Sequence, residues 1–242
     1  MKRLILLALA ICSTAIAQTT TDNVYTFTRY LAKPGQEEAL KAAFFAHAAK
    51  YHSGTNKWSL SVIDSGPDTG MFQVKEGPSN FNTLEDRGDL SIEHHNDYVT
   101  NVNPFVQTMS GAVYEIRDEE LSTAYDSKVI IKKFLVQRYV LKPGHMAALY
   151  EKIKIINPYI NKTLKGGHSF FRTFYSGVPT IILTIWLNNG YKDVAGTQNK
   201  VSEAYDADHG VGAGNKFFAS YSEDMERIDT EIIESIPNPA IK

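Results

Sequence analysis

Twelve residues occur twice in this chain. The run Arg29-Tyr30-Leu31-Ala32-Lys33-Pro34-Gly35-Gln36-Glu37-Glu38-Ala39-Leu40 returns as Arg138-Tyr139-Val140-Leu141-Lys142-Pro143-Gly144-His145-Met146-Ala147-Ala148-Leu149, with Arg, Tyr, Lys, Pro, Gly, Ala and Leu held in place. Each copy passes from a β-rich stretch through a Pro-Gly break into a helical pattern, so a supersecondary unit repeats as well as the letters. Two landmarks keep the same order: Ser65-Gly66 matches Ser176-Gly177, and Asn103-x-Phe105 matches Asn215-x-Phe217.

The rest of the chain fills in each unit. Val24 to Ala32 alternates as a strand, with Tyr25, Phe27 and Leu31 on one face and Thr26, Thr28 and Tyr30 on the other. After Pro34-Gly35, Leu40, Phe44, His47 and Tyr51 form a helical stripe that Gly54 closes. Strands follow at Lys57 to Asp64 and Gly70 to Glu76, then a second helix holding His94, His95, Tyr98 and Val102 up to Pro104, then a strand at Ala112 to Ile116. The charged stretch Arg117 to Ser127 reads as a linker. In the second half the corresponding strand is Val129 to Leu141, and its helix carries Met146, Leu149, Ile153 and Ile156 and stops before Pro158. His168 to Tyr175 and Thr180 to Leu187 form a strand pair, Tyr191 to Asp208 a helix, the glycines at 210, 212 and 214 a break, and Asp229 to Ser235 a last strand.

Strand, helix, strand, strand, helix, strand is the ferredoxin-like order. One such sheet has a face covered by its own helices and another without a partner, and an apolar face is not left in water. The expected fold is therefore α+β: tandem ferredoxin-like repeats, at 24–122 and 128–236, whose open sheet faces meet in an intramolecular dimeric-α/β-barrel-like arrangement. This internal pairing allows a monomer. An Arg-Tyr strand ending in Lys-Pro-Gly and entering a helix with Ala-Leu resembles the start of the NIPSNAP family, within the dimeric alpha-beta barrel superfamily that includes antibiotic-biosynthesis monooxygenases. The resemblance implies relatives that include cofactor-free oxygenases, haem enzymes and proteins of unknown role. No catalytic set of those relatives maps onto this chain.

The N-terminus reads as a secretory leader: Lys2 and Arg3, an apolar run from Leu4 to Ile11, and Ala15-Ile16-Ala17 as the cleavage site, spanning residues 1–17. Cleavage after Ala17 gives an exported protein, periplasmic or secreted, with no membrane anchor. It also removes Cys12, the single cysteine, and with it disulfides, thiolate nucleophiles and Cys metal sites. Twenty-five basic against 27 acidic residues, a net charge of −2, provide no basic surface for nucleic acid.

The functional expectation is a pocket. If Tyr25, Phe27 and Leu31 face the helices, Thr26, Thr28 and Tyr30 point inward, and by the repeat so do Leu135, Gln137 and Tyr139, joined by Thr184 and Trp186. Such a wall mixes aromatic surface with a few polar groups, as small-molecule sites do; the competing reading makes both tyrosines core residues. Arg29 and Arg138 could hold a ligand carboxylate, but a structural pairing with a helix carboxylate or C-terminal carbonyls is the simpler reading. His94, His95 and His209 are the candidates for proton transfer or metal binding. No ligand spacing such as His-x-x-x-His joins them, so no metal and no cofactor is assigned. His47 reads as a satisfied core histidine, and His145 and His168 as exposed residues flanking turns. Three functions remain open: binding of a small, mainly apolar ligand between the repeats; a cofactor-independent oxygenase or isomerase in which a His or Tyr moves a proton; and an interaction protein with a filled core.

Overall fold

The computed structural model describes residues 22–53, 56–87, 91–124, 131–173, 177–196 and 199–238. The leader, Gly54 and Ser176 lie outside them. In chain order the elements are β1 (Val24–Ala32), α1 (Glu37–Tyr51), β2 (Trp58–Ser65), β3 (Phe72–Ser79), α2 (Phe81–Glu85), α3 (Ile92–Asp97), β4 (Val106–Met109), β5 (Val113–Asp118), β6 (Lys133–Leu141), α4 (Met146–Thr163), β7 (His168–Thr173), β8 (Thr180–Leu187), α5 (Lys200–His209), α6 (Ala213–Ala219) and β9 (Met225–Ile236).

The strands pair in the order β3-β2-β9-β6-β8-β7-β5-β1, and β1 returns to β3. Every pairing is antiparallel, so eight strands close a barrel and leave no free edge among them. β4 continues the edge of β1 that β5 begins: β5 pairs with Val24 to Phe27, and β4 with Tyr30 to Ala32. The first half contributes β5-β1-β3-β2 and the second β9-β6-β8-β7; β2–β9 and β5–β7 are the seams.

The repeated motif makes the same corner twice. Gly35 and Gly144 have φ of 75° and 82°, which a side chain disfavours, and each follows a proline. The turn closes by Gln36 N–H donating to Lys33 O at 2.9 Å, and by His145 N–H to Lys142 O at 3.1 Å. Both lysines then tie their corner to the segment before a later strand: Lys33 Nζ donates to Pro104 O at 2.6 Å, and Lys142 Nζ to Ser222 O and Glu223 O at 3.0 and 2.9 Å. The conserved letters of the repeat are those a tight, tethered turn requires.

Among the described residues the apolar side chains form three clusters. One lies between the outer face of the first-half strands and α1, and includes Tyr30, Leu40, Phe44, Phe72, Val74 and Val102. A second lies between the second-half strands and α4 to α6, and includes Tyr139, Leu149, Ile153, Ile156, Leu183 and Tyr221. The third fills part of the barrel interior with Ile63, Val136, Phe171, Ile182 and Ile233, against which Tyr25 packs.

This placement inverts the expected facing of β1. Tyr25 and Phe27 meet Phe171 inside the barrel, with ring centroids 5.7 and 6.1 Å away, whereas Tyr30 packs on Phe44 of α1 at 4.9 Å. The physical reason is that both faces of the strand are covered, one by helices and one by the opposite wall. Alternation therefore separates two faces without saying which is which.

Arg29 and Arg138 also point inward, and neither pairs with a helix carboxylate or with helix C-terminal carbonyls as expected. Arg29 Nη2 and Arg138 Nη2 share one oxygen of Glu231, at 2.5 and 3.0 Å. Arg29 Nη1 reaches Asp68 at 2.5 Å, and Arg138 Nη1 reaches the buried Glu115 at 3.2 Å. The duplicated arginines thus meet across the barrel at a shared carboxylate. Burial opposes the charge on Arg138, but Glu115 and Glu231 outweigh it and raise its pKa; burial likewise pushes the Glu115 carboxyl up, against the pull of Arg138.

Two further expectations are corrected. α4 runs through Pro158 to Thr163, because Ile156, Asn157 and Ile160 are buried on either side of it and packing holds the turn despite the missing N–H. His168 is fully buried: its Nε2 lies 2.9 Å from Leu121 O and 3.1 Å from Asn157 Oδ1, and burial lowers its pKa.

Candidate functional site: a cavity beneath the second-half helices and a histidine cluster beneath the first

The cavity lies on the outer face of the second-half strands, roofed by α4, α5 and α6, with a volume of about 550 Å³. Its floor is Leu135, Gln137, Tyr139, Leu183 and Ile185, and its roof includes Ile153, Ile156, Val201 and Phe218. Small-molecule sites occupy roughly 300–1,000 Å³, so the volume is of the right order.

The roof is shaped by the run of glycines that the sequence marked as a break. Gly212 N–H and Gly214 N–H donate to the two carboxylate oxygens of Asp206 at 3.0 and 2.6 Å, which caps α6 from α5. A Cβ on Gly214 would lie 2.5 Å from Ser202 Oγ and 2.6 Å from its carbonyl, so glycine is what lets α5 and α6 touch. Ser202 Oγ in turn donates to Asn215 Oδ1 at 3.1 Å, and both residues line the cavity.

Among the described residues the lining contains no carboxylate, imidazole, ammonium, guanidinium or thiol. Its polar groups are amides, hydroxyls and two phenols. Tyr139 donates to Gln137 Oε1 at 3.0 Å, which engages that phenol. Tyr221 Oη is buried and has no hydrogen-bond partner among the described residues. Burial raises the pKa of both phenols well above the ordinary value of 10.0, so both are neutral donors. The described lining does not fit haem, which some relatives implied by the resemblance carry: among the described residues it offers no imidazole or thiolate, and the phenols are held in the form that ligates poorly.

The eight pocket residues expected from the sequence divide three ways. Leu135, Gln137 and Tyr139 do line one cavity, though on the helix side of the sheet. Thr26, Thr28 and Tyr30 occupy the matching side of the first half, where Thr28 stands opposite Val74 and Tyr30 opposite Phe72. Thr184 and Trp186 are opposite Val136 and Phe134, on the barrel-interior side. The expectation of one wall fails because six of these positions face outward and the other two inward.

Beneath the first-half helices the matching space holds a polar cluster. His47 of α1, His52 just beyond it and His94 of α3 each present one ring nitrogen, and these atoms all lie within 4.8 Å of one another. His47 Nδ1 lies 2.8 Å from Asp97 Oδ2, and its Nε2 is buried with no hydrogen-bond partner among the described residues. His52 Nε2 and His94 Nε2 are 3.1 Å apart, and the His52 ring stacks on Trp58 at 3.8 Å. On its other side His52 Nδ1 is 3.7 Å from Glu76 Oε2, a carboxylate that also accepts from Trp58 Nε1 at 2.8 Å. Lys50 bonds Asp97 at 2.5 Å, and this bond, followed by that from His47, holds the Asp97 carboxyl at about 2.

Sequence reasoning found His94 but not its partners. His47 is on the core stripe, as expected, yet only one of its nitrogens is satisfied; His52 follows the end of α1; and α3 comes some forty residues later, so no short-range spacing encodes the group. His95 is exposed, and His209 stacks on Tyr205 at 4.1 Å with its Nε2 3.0 Å from Tyr159 Oη, apart from this cluster.

No protein-family model matches this chain, and no curated protein matches it in sequence. Solved structures do match in fold. A protein of Lactobacillus acidophilus described as a "putative monooxygenase" aligns at a TM-score of 0.53 and 10% identity, over 88% of this chain and 93% of its own. One of Fusobacterium nucleatum with the same description aligns at 0.57 and 11%, over 88% and 92%. A mutant chlorite dismutase from Candidatus Nitrospira defluvii aligns at 0.57 and 9%, over 92% and 94%. This chain is similar to these proteins in architecture, a mixed α+β fold around an eight-stranded antiparallel barrel.

Proposed function

We propose that this protein binds a small, mainly apolar molecule in the cavity beneath α4, α5 and α6, and that it does so without catalysing a reaction there. The observation that carries the reading is the lining itself. A cavity of about 550 Å³ is walled mainly by aliphatic and aromatic side chains with a few amides and hydroxyls, and among the described residues its lining has no carboxylate, imidazole or ammonium, while the buried Tyr221 hydroxyl awaits an acceptor. A ligand with an apolar body and one carbonyl or ether oxygen matches it. The site differs from the one expected between the two halves, where Glu231 and the two arginines occupy the barrel interior.

We further infer that the chain consists of two ferredoxin-like repeats of NIPSNAP-like type and is exported after loss of its leader. The equivalent orders β5-β1-β3-β2 and β9-β6-β8-β7 and the twice-made Lys-Pro-Gly corner support the duplication. The structural likeness to proteins described as monooxygenases makes oxygenase chemistry the rival, but that chemistry needs a group to move a proton. This cavity supplies only neutral phenols.

The test uses N-phenyl-1-naphthylamine as an apolar fluorescent probe. One saturable equivalent should bind per chain, and Val201→Trp, which puts an indole into the cavity from α5, should weaken binding at least tenfold with little change in Tm. Absence of saturable binding, or oxygen consumption with an electron-rich aromatic that Val201→Trp abolishes, would overturn the binding reading.

A further inference from the structure

We propose that His47, His52 and His94 form a three-imidazole site for a first-row divalent cation of the zinc or copper(II) class. This site is separate from the cavity of the second half and does not rest on what that cavity binds.

The argument begins with donor chemistry. Imidazole nitrogen is a borderline ligand that suits zinc, copper and nickel, and three imidazoles without a thiolate disfavour the hard ions calcium and magnesium. Distances come next. A tetrahedral zinc with Zn–N bonds of about 2.0–2.1 Å sets its nitrogens about 3.3 Å apart. His52 Nε2 and His94 Nε2 already stand at 3.1 Å, and no pair of the three donor atoms exceeds 4.8 Å. Closure asks for a shift of at most about 1.5 Å from the tetrahedral spacing, and His94, on the short helix α3, is the least buried of the three.

The surroundings are those of ligating imidazoles. A metal-bound histidine usually gives its second ring N–H to a carboxylate, which fixes the tautomer and turns the other nitrogen to the ion. Asp97 stands in that relation to His47, and Glu76 lies on the corresponding side of His52 at the longer distance of 3.7 Å. Ordinary packing does not account for the arrangement, because His47 Nε2 is buried with no hydrogen-bond partner among the described residues, and an unsatisfied buried polar atom is destabilising. A cation would satisfy it. Three protein donors leave a fourth tetrahedral position for water or an added ligand, and His94 also lines an open depression with Ser91, Ile92, His95 and Tyr98 that gives a route from solvent.

The experiment uses protein without a polyhistidine tag, stripped with a chelator and dialysed. Calorimetric titration with zinc should show one equivalent per chain, and cobalt(II) should give the visible absorption of a nitrogen-ligated ion. His94→Gln should lower the affinity at least a hundredfold; Asp97→Asn, acting through His47, should lower it 10–100-fold. His95→Gln, one residue away and exposed, should leave it unchanged. His52→Asn serves as a second ligand variant should His94→Gln lose its fold by circular dichroism. The proposal is overturned if folded wild-type protein binds neither ion stoichiometrically, or if a folded His94→Gln or His52→Asn variant binds as the wild type does.

Discussion

At the scale of single residues, the least replaceable side chain in the barrel is Glu231. It is buried, and one of its oxygens accepts from both Arg29 and Arg138. Removing one member of a buried ion group leaves the others charged and desolvated, and that loss, more than the net worth of the pairs, sets the cost. Glu231→Gln should destabilise the protein by about 3 kcal/mol in urea denaturation, with m unchanged. A change below about 1 kcal/mol would mean that Asp68 and Glu115 suffice to hold the two guanidiniums. The recurrence of arginine at 29 and 138 was legible in the letters, but its partner was not. Glu231 lies some two hundred residues from Arg29, and only barrel closure brings them together.

At the scale of elements, the sequence was most readable where local chemistry decides. β1 and β8 have the expected bounds and α1 carries its expected stripe after the Pro-Gly break, because alternation, that break and a continuous apolar run are local signals. It was least readable where tertiary packing decides: α4 crosses Pro158, β4 is an added edge segment, and the helix expected at Tyr191 to Asp208 begins as a 3-10 turn and becomes α5 only at Lys200. The glycines sort in the same way. Gly35 has positive φ and open space where a Cβ would stand, so Gly35→Ala should cost about 1 kcal/mol of backbone strain. Gly167 combines φ of 95° with a Cβ position 2.6 Å from the Trp186 ring. Gly167→Ala should therefore cost at least twice as much, and paired thermal melts of the two variants decide it; equal losses would contradict the packing account.

For the whole molecule, burial of phenols sets an alkaline limit. Tyr30, Tyr139 and Tyr221 all have their pKa raised above the ordinary 10.0, in each case chiefly by burial. In the folded protein they keep their protons where the unfolded chain has lost them, so the unfolded state binds fewer protons and stability falls as pH rises. The contribution is intact below pH 10 and is lost progressively above it. Urea midpoints should be level from pH 8 to 9.5 and decline beyond pH 10, while phenolate absorbance of the native protein accounts for fewer than its thirteen tyrosines. A midpoint that stays level to pH 12 would contradict this.

The position of β9 has a temporal consequence. It follows the other seven strands of the barrel in sequence, yet it sits between β2 and β6 and brings Glu231 to both arginines. During synthesis the ring therefore stays open until β9 itself has been made. Until then the two guanidiniums lack their common anion, and the rims of β2 and β6 can recruit a neighbouring chain.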